Sequence, residues 1–217
     1  MGKIYRIIFV ALVIFIPIFS IIGASNLIFR APDLYKHEFE KQLVVEEIDI
    51  RNHEERLAQS FSQYMRGKEE TFSFTLSAEE DENLFTANDQ QTMEKLRSFL
   101  NVLSVIGGVA ALCILVSCLF FRAKGEKPIL RSAYRYSLIV FGMSIAAFGV
   151  LLEVDGGRVM GLHLAAPAIF GEGDLLPRLI TGEFTRGAFL AGCLFSGLIM
   201  AILGYIIWKI SKPRRMF

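Results

Sequence analysis

Hydrophobic residues fall into four long runs, at 7–29, 99–121, 136–152 and 187–208, separated by polar stretches. Crossing about 30 Å of hydrocarbon takes about 20 mostly apolar residues. In lipid, backbone polar groups must be satisfied within the segment, so each run predicts a transmembrane helix. The third run is the shortest and carries no charge. Gly107 and Gly108 in the second run, and Gly187, Ala188, Gly192, Gly197 and Gly204 along the fourth, are the small residues that close helix–helix packing uses. They predict a four-helix bundle, as a monomer or a weak homo-oligomer.

The polar stretches differ in sign. Lys3 and Arg6 precede the first run; Arg122, Lys124, Lys127, Arg131 and Arg135 fill the segment 122–135; Lys209, Lys212, Arg214 and Arg215 end the chain in 209–217. Basic residues beside span ends mark the cytoplasmic side. Both termini and the segment 122–135 are therefore expected in the cytoplasm, with 30–98 and 153–186 extracytoplasmic. Gly23-Ala24-Ser25 also offers a cleavage site, but the first run is long for a signal-peptide core of about 7–15 residues.

The stretch 30–98 has its own periodicities. Asn52 and Glu55 have capping-box spacing, followed by Leu57, Phe61, Tyr64 and Met65 on one helix face, with Gly67 as a stop. This predicts an amphipathic helix over 53–66. Residues 71–77 alternate, with Phe72, Phe74 and Leu76 on one side, and predict a short strand or extended segment. Thr86 and Asp89 repeat an approximate capping box, and no Pro or Gly intervenes before Gly107. The helix opened there is expected to run unbroken into the second span, with Asp89, Thr92, Met93 and Leu96 near one another on it. The fold class that follows is an all-α integral membrane protein with four transmembrane helices. It has a small α+β extracytoplasmic domain between helices 1 and 2, and an interfacial loop between helices 3 and 4.

That last loop, 153–186, is the most unusual. Its apolar stretch 159–170 contains His163 and Pro167 and is too short to span, so it reads as re-entrant or interfacial. Leu175, Leu176, Leu179 and Ile180, set among Asp174, Arg178 and Glu183, read as a turn lying on the membrane surface.

The composition, 53% hydrophobic with 22 acidic and 23 basic residues, is high in apolar residues for a soluble domain, puts a membrane reading first and gives no basic excess for nucleic acid. Three cysteines, Cys113, Cys118 and Cys193, all lie within apolar runs, without metal-ligand or CxxC spacing. No nucleophile elbow, zinc-protease helix or phosphate-binding glycine loop occurs, so no metal or cofactor is expected. Of three histidines, His37 and His53 sit in charged surroundings and read as surface residues. His163 lies in an apolar segment at membrane depth, where a titratable group is a functional candidate and suits proton transfer. The alternative is an anchor bonded to a carbonyl or a headgroup.

Several short motifs resemble the bacterial lipoprotein intramolecular transacylase family over nearly the whole chain. They are Leu34-Tyr35 and Phe39-Glu40 behind the first span; Phe85-Thr86 through Asp89, Met93, Leu96 and Arg97 entering the second; and His163, Phe170, Asp174, Arg178, Leu179 and Phe184 in the third loop. The resemblance implies an enzyme of the bacterial plasma membrane that moves an acyl chain within a diacylglyceryl lipoprotein. The chain passes from glycerol to the N-terminal cysteine amine and leaves a lyso-form lipoprotein. Diacylglyceryl lipoproteins and membrane lipid are the implied partners, and no cofactor is implied. The family's second histidine falls on His163, the implied catalytic base. Thr92 stands where the first would be, and Lys95 where an acidic residue would follow. Asp89, Thr92, Arg97, Asp174 and Arg178 are the implied cleft or substrate-contacting residues. A non-catalytic relative that binds lipid or lipoprotein is the alternative.

Overall fold

The computed structural model describes residues 2–41, 53–76, 83–154, 175–180 and 182–211. Among them are seven helices: α1 (Lys3–Phe29), α2 (Pro32–Lys41), α3 (Glu54–Met65), α4 (Ala87–Ala123), α5 (Lys127–Val154), α6 (Leu176–Leu179) and α7 (Gly182–Ile210). Four of these, α1, α4, α5 and α7, are long and apolar enough to cross a membrane. They contain the four hydrophobic runs, and each extends beyond its run. The chain is a multi-pass membrane protein.

The residues divide into two compact units. One, the span unit, comprises 1–25, 102–148 and 192–217. Its core holds Leu12 and Ile16 of α1, Ile114 and Phe121 of α4, Leu130 and Ala133 of α5, and Met200 and Ile207 of α7. Close approach uses two of the glycines read from the sequence. A Cβ on Gly107 would lie 2.9 Å from Ile22, and one on Gly204 would collide with the Tyr134 hydroxyl. That hydroxyl donates to the Met200 carbonyl at 2.9 Å, tying α5 to α7. Gly108 and Gly197 face open space instead. The turn between α4 and α5 is tighter than the sequence pattern indicated. It needs only 124–126, with Gly125 at φ +75° supplying the left-handed residue, and most of the basic stretch 122–135 continues as helix.

The other, the aromatic unit, comprises 26–101 and 149–191. Tyr35 and Phe39 of α2, Phe61 of α3, Phe72, Phe85 and Phe184 of α7 are all buried. Ring centroids lie 4.4 Å apart for Phe72–Phe85, 4.8 Å for Phe61–Phe72, 5.2 Å for Tyr35–Phe61 and 5.7 Å for Tyr35–Phe184. These are the separations at which tilted aromatic pairs attract beyond their area burial. The Tyr35 hydroxyl donates to the Phe29 carbonyl at 2.8 Å, and burial pushes its pKa well above the usual tyrosine value. α2 was not apparent in the sequence pattern; it begins with Pro32 and Asp33, a proline and an acidic residue suited to a first turn.

The β layer expected in this unit is corrected: no strand occurs among the described residues. Residues 72–75 belong to no helix or strand, and a side chain holds them where a partner strand was expected. Asn83 Oδ1 accepts from the backbone N–H of Phe74 and Phe85, and its amide donates to the Phe72 carbonyl. One backbone bond, Leu84 N–H to the Phe74 carbonyl at 2.8 Å, completes the link. The helix expected at 53–66 is α3, closed by Gly67 at φ +79°. Asn52, its expected cap, lies outside the described residues.

Candidate functional site

The entry to α4 carries the site. Asp89 closes a reciprocal box with Thr86: its carboxylate accepts from the Thr86 N–H and hydroxyl, while its own N–H donates to Thr86 Oγ1, all at 3.2 Å. This is the capping arrangement the spacing predicted. Asp89 does more, because its oxygens also accept the backbone N–H groups of Leu175 at 3.2 Å and Leu176 at 3.0 Å. The carboxylate is fully buried and accepts four hydrogen bonds. A buried carboxylate needs such satisfaction, and here the donors come from both ends of the aromatic unit.

Around that bond, Leu175, Leu176 and Leu179 are buried, as are Met93 and Phe184. The short helix α6 is thereby fixed to α4. Pro177 and Arg178 lie on its exposed side.

Thr92 follows Asp89 by three residues and lies on the same face of α4. It is 1% exposed. Its Oγ1 has no hydrogen-bond partner among the described residues. An unpaired buried hydroxyl costs about 1–3 kcal/mol, so a residue type chosen for packing alone would be apolar here.

Arg97 faces elsewhere. Its Nη1 donates to the Glu69 carbonyl at 2.9 Å, and its guanidinium lies 4.9 Å from the Tyr64 ring centroid. It staples the segment after α3 onto α4, a role with no trace in the sequence pattern. His163 and Asp174 lie outside the described residues. Among the sequence-derived candidates, the structure thus joins Asp89 to the α6 turn that carries Arg178, sets Thr92 beside Asp89 on one helix face, and turns Arg97 to another. No cluster of three His, Cys, Asp or Glu side chains suited to a metal occurs among the described residues.

A four-span, all-helical membrane protein with a buried carboxylate joining its second span to the entry of its fourth is the class these features define. The fold is shared with a solved structure, the membrane-integral lipoprotein intramolecular transacylase Lit from Bacillus cereus. The likeness covers 97% of this chain and 97% of that one, with a TM-score of 0.65 and 13% sequence identity. No family model matches the sequence, and no curated protein matches it. The resemblance noted from short motifs is therefore matched at the level of the whole fold.

Proposed function

We propose that the chain is a membrane acyltransferase acting on diacylglyceryl lipoproteins, moving an acyl chain from glycerol to the N-terminal cysteine amine. The observation that carries this reading is the Thr92 hydroxyl: buried, unpartnered among the described residues, and on the residue where the resemblance sets one of two histidines. The shared fold with a lipoprotein transacylase supplies the reaction class.

The chemistry balances without a cofactor. An α-amino group with a pKa near 8 attacks the ester carbonyl of the same molecule, so proximity supplies much of the barrier reduction. His163 takes the amine proton and returns it to the departing glycerol oxygen. An amide bond forms as the ester bond breaks. The developing oxyanion needs a donor. Arg97 is engaged with Glu69 and Tyr64, and the buried Thr92 hydroxyl is the donor we assign to that role.

The site requires the aromatic unit to lie at the extracytoplasmic leaflet of a bacterial plasma membrane. Both termini are then cytoplasmic, and an impermeant reagent labels a cysteine introduced at Glu80 in intact cells. Mass spectrometry of lipoprotein N-termini, with and without the protein, tests the activity. Lyso-form products that depend on the protein are expected, and their absence across several lipoproteins overturns the reading. A second reading, a non-catalytic binder of lipoprotein, draws on Thr92 itself, since a hydroxyl is a poor base near neutral pH.

A further inference from the structure

The apolar core of the span unit ends in cations, and Glu126 is the unit's single acidic residue. Lys3 and Arg6 in the first turn of α1, and Arg135 near the start of α5, are all exposed. Arg131, one turn before Arg135, is engaged with α7. Its Nε donates to Ser211 Oγ at 2.8 Å and its Nη2 to the Ser211 carbonyl at 3.0 Å. The guanidinium groups of Arg6 and Arg135 have no hydrogen-bond or ion-pair partner among the described residues.

The Phe9 and Tyr136 rings meet edge to face, centroids 5.9 Å apart, and set α1 beside α5. As the first and third of four spans, these helices run in the same direction. At about 3.6 residues per turn, Arg6 and Val10 fall on one side of Phe9, and Arg135 and Ile139 fall on that same side of Tyr136. Each arginine heads a ridge at helical spacing: Arg6, Val10 and Ile14 on α1, and Arg135, Ile139 and Met143 on α5, all exposed. The exposed Ser132, one turn before Tyr136, lies on this side too. Tyr5, on another side of α1, packs against Phe120 and Phe121 of α4 at 5.6 and 6.1 Å. A cationic head thus opens onto a double apolar ridge within one compact unit.

We propose that this face of α1 and α5 binds an anionic phospholipid, its phosphate held between Arg6 and Arg135 and an acyl chain lying along the two ridges. A guanidinium presents a planar fork of donors that matches two phosphate oxygens, and the Ser132 hydroxyl adds a third source. Basic pockets between spans take anionic headgroups in this way. A zwitterionic lipid would bring its ammonium group in beside Lys3, with no carboxylate on this face to receive it, because Glu126 lies back in the turn before α5. A free phosphate ion would leave the ridges unused. The site lies apart from the buried Asp89 and Thr92 and does not depend on acyl transfer.

Native mass spectrometry of the full chain in detergent tests this, with phosphatidylglycerol and phosphatidylcholine of identical acyl chains as probes. Phosphatidylglycerol should bind about tenfold more tightly, as charge-assisted contacts to one phosphate allow. Arg6→Gln combined with Arg135→Gln should remove that preference. Lys124→Gln combined with Lys209→Gln, which removes as much charge outside this face, should keep it. All four side chains are exposed, so thermal unfolding in lipid-free detergent should be unchanged in both double variants. Should the arginine pair fail that check, Arg135→Lys decides: it keeps the charge, loses the fork, and should weaken phosphatidylglycerol several-fold while leaving phosphatidylcholine unchanged. Equal affinity for the two lipids, a preference that survives loss of both arginines, or equal losses in the two double variants overturns the proposal. Displacement of phosphatidylglycerol by inorganic phosphate also overturns it, since that would mark a bare anion site.

Discussion

Asp89 Oδ1 accepts the backbone N–H of Leu176 at 3.0 Å across 87 residues of sequence. A single carboxylate thus serves as the cap of one helix and the receptor for the start of another. Because both oxygens are used, substitution should loosen two places at once. Asp89→Ala should cost about 3 kcal/mol, since buried N–H donors would be left unsatisfied. Hydrogen exchange checks this directly: the amides of Leu175 and Leu176 should lose protection. Thr86→Ala should weaken the cap and leave those two amides protected.

Thr92 should separate stability from activity. Its hydroxyl is buried without a partner among the described residues, so Thr92→Val removes an unsatisfied group at constant shape. Thermal unfolding in detergent should show equal or higher stability, by up to about 1 kcal/mol. Lyso-lipoprotein formation should fall, because the oxyanion loses a donor. Thr92→His should keep activity level or raise it.

His163→Ala should abolish lyso-lipoprotein formation in cells, since His37 and His53 lie in other parts of the chain. Lipoprotein N-terminal mass spectrometry reads the outcome. Full activity in this variant would end its assignment as the base.

In the span unit, Gly204→Ala should destabilise the packing of α5 and α7. The added Cβ meets the Tyr134 hydroxyl, which is itself held by the Met200 carbonyl. Overpacking of this kind costs about 1–3 kcal/mol. Gly197→Ala, which meets open space, should be neutral in the same detergent unfolding assay.

A fragment of residues 30–98 should not unfold cooperatively by itself. It would carry Tyr35, Phe39 and Phe61 without Phe184, and Asp89 without Leu175 and Leu176. Circular dichroism of the isolated fragment checks this.

The parts of the fold governed by local pattern were legible in the sequence. Four apolar runs gave four helices, the Leu57–Phe61–Met65 stripe gave α3, and Thr86 with Asp89 gave the start of α4. What stayed hidden depended on distant partners. Nothing local distinguishes an Asp89 that caps its own helix from one that also receives Leu175 and Leu176. The alternation at 71–77 is real, with Phe72 and Phe74 buried and Ser73 exposed. Periodicity reports which side faces the core, and it does not report whether a strand or the side chain of Asn83 lies alongside. The resemblance sets Arg97 in the cleft, and no local pattern shows that the Tyr64 ring and the Glu69 carbonyl engage it. Small residues were a partial guide too: Gly107 and Gly204 pack, whereas Gly108 faces open space.

The aromatic unit is assembled from two stretches of chain separated by residues 102–148 of the span unit, and this imposes an order on its making. Tyr35 and Phe61 leave the ribosome early, while Phe184 emerges only after roughly 150 further residues, or about 7–30 s of synthesis at 5–20 residues per second. Until then the Tyr35 face that stacks on Phe184, and the carboxylate of Asp89, have no downstream partner. The nascent protein must hold a sticky, half-built aromatic surface at the membrane through the insertion of two more spans. The acceptance of the Leu175 and Leu176 amides by Asp89 is accordingly a late event in its biogenesis, and a translation pause before Leu175 would prolong the interval in which a chaperone or a protease could capture the chain.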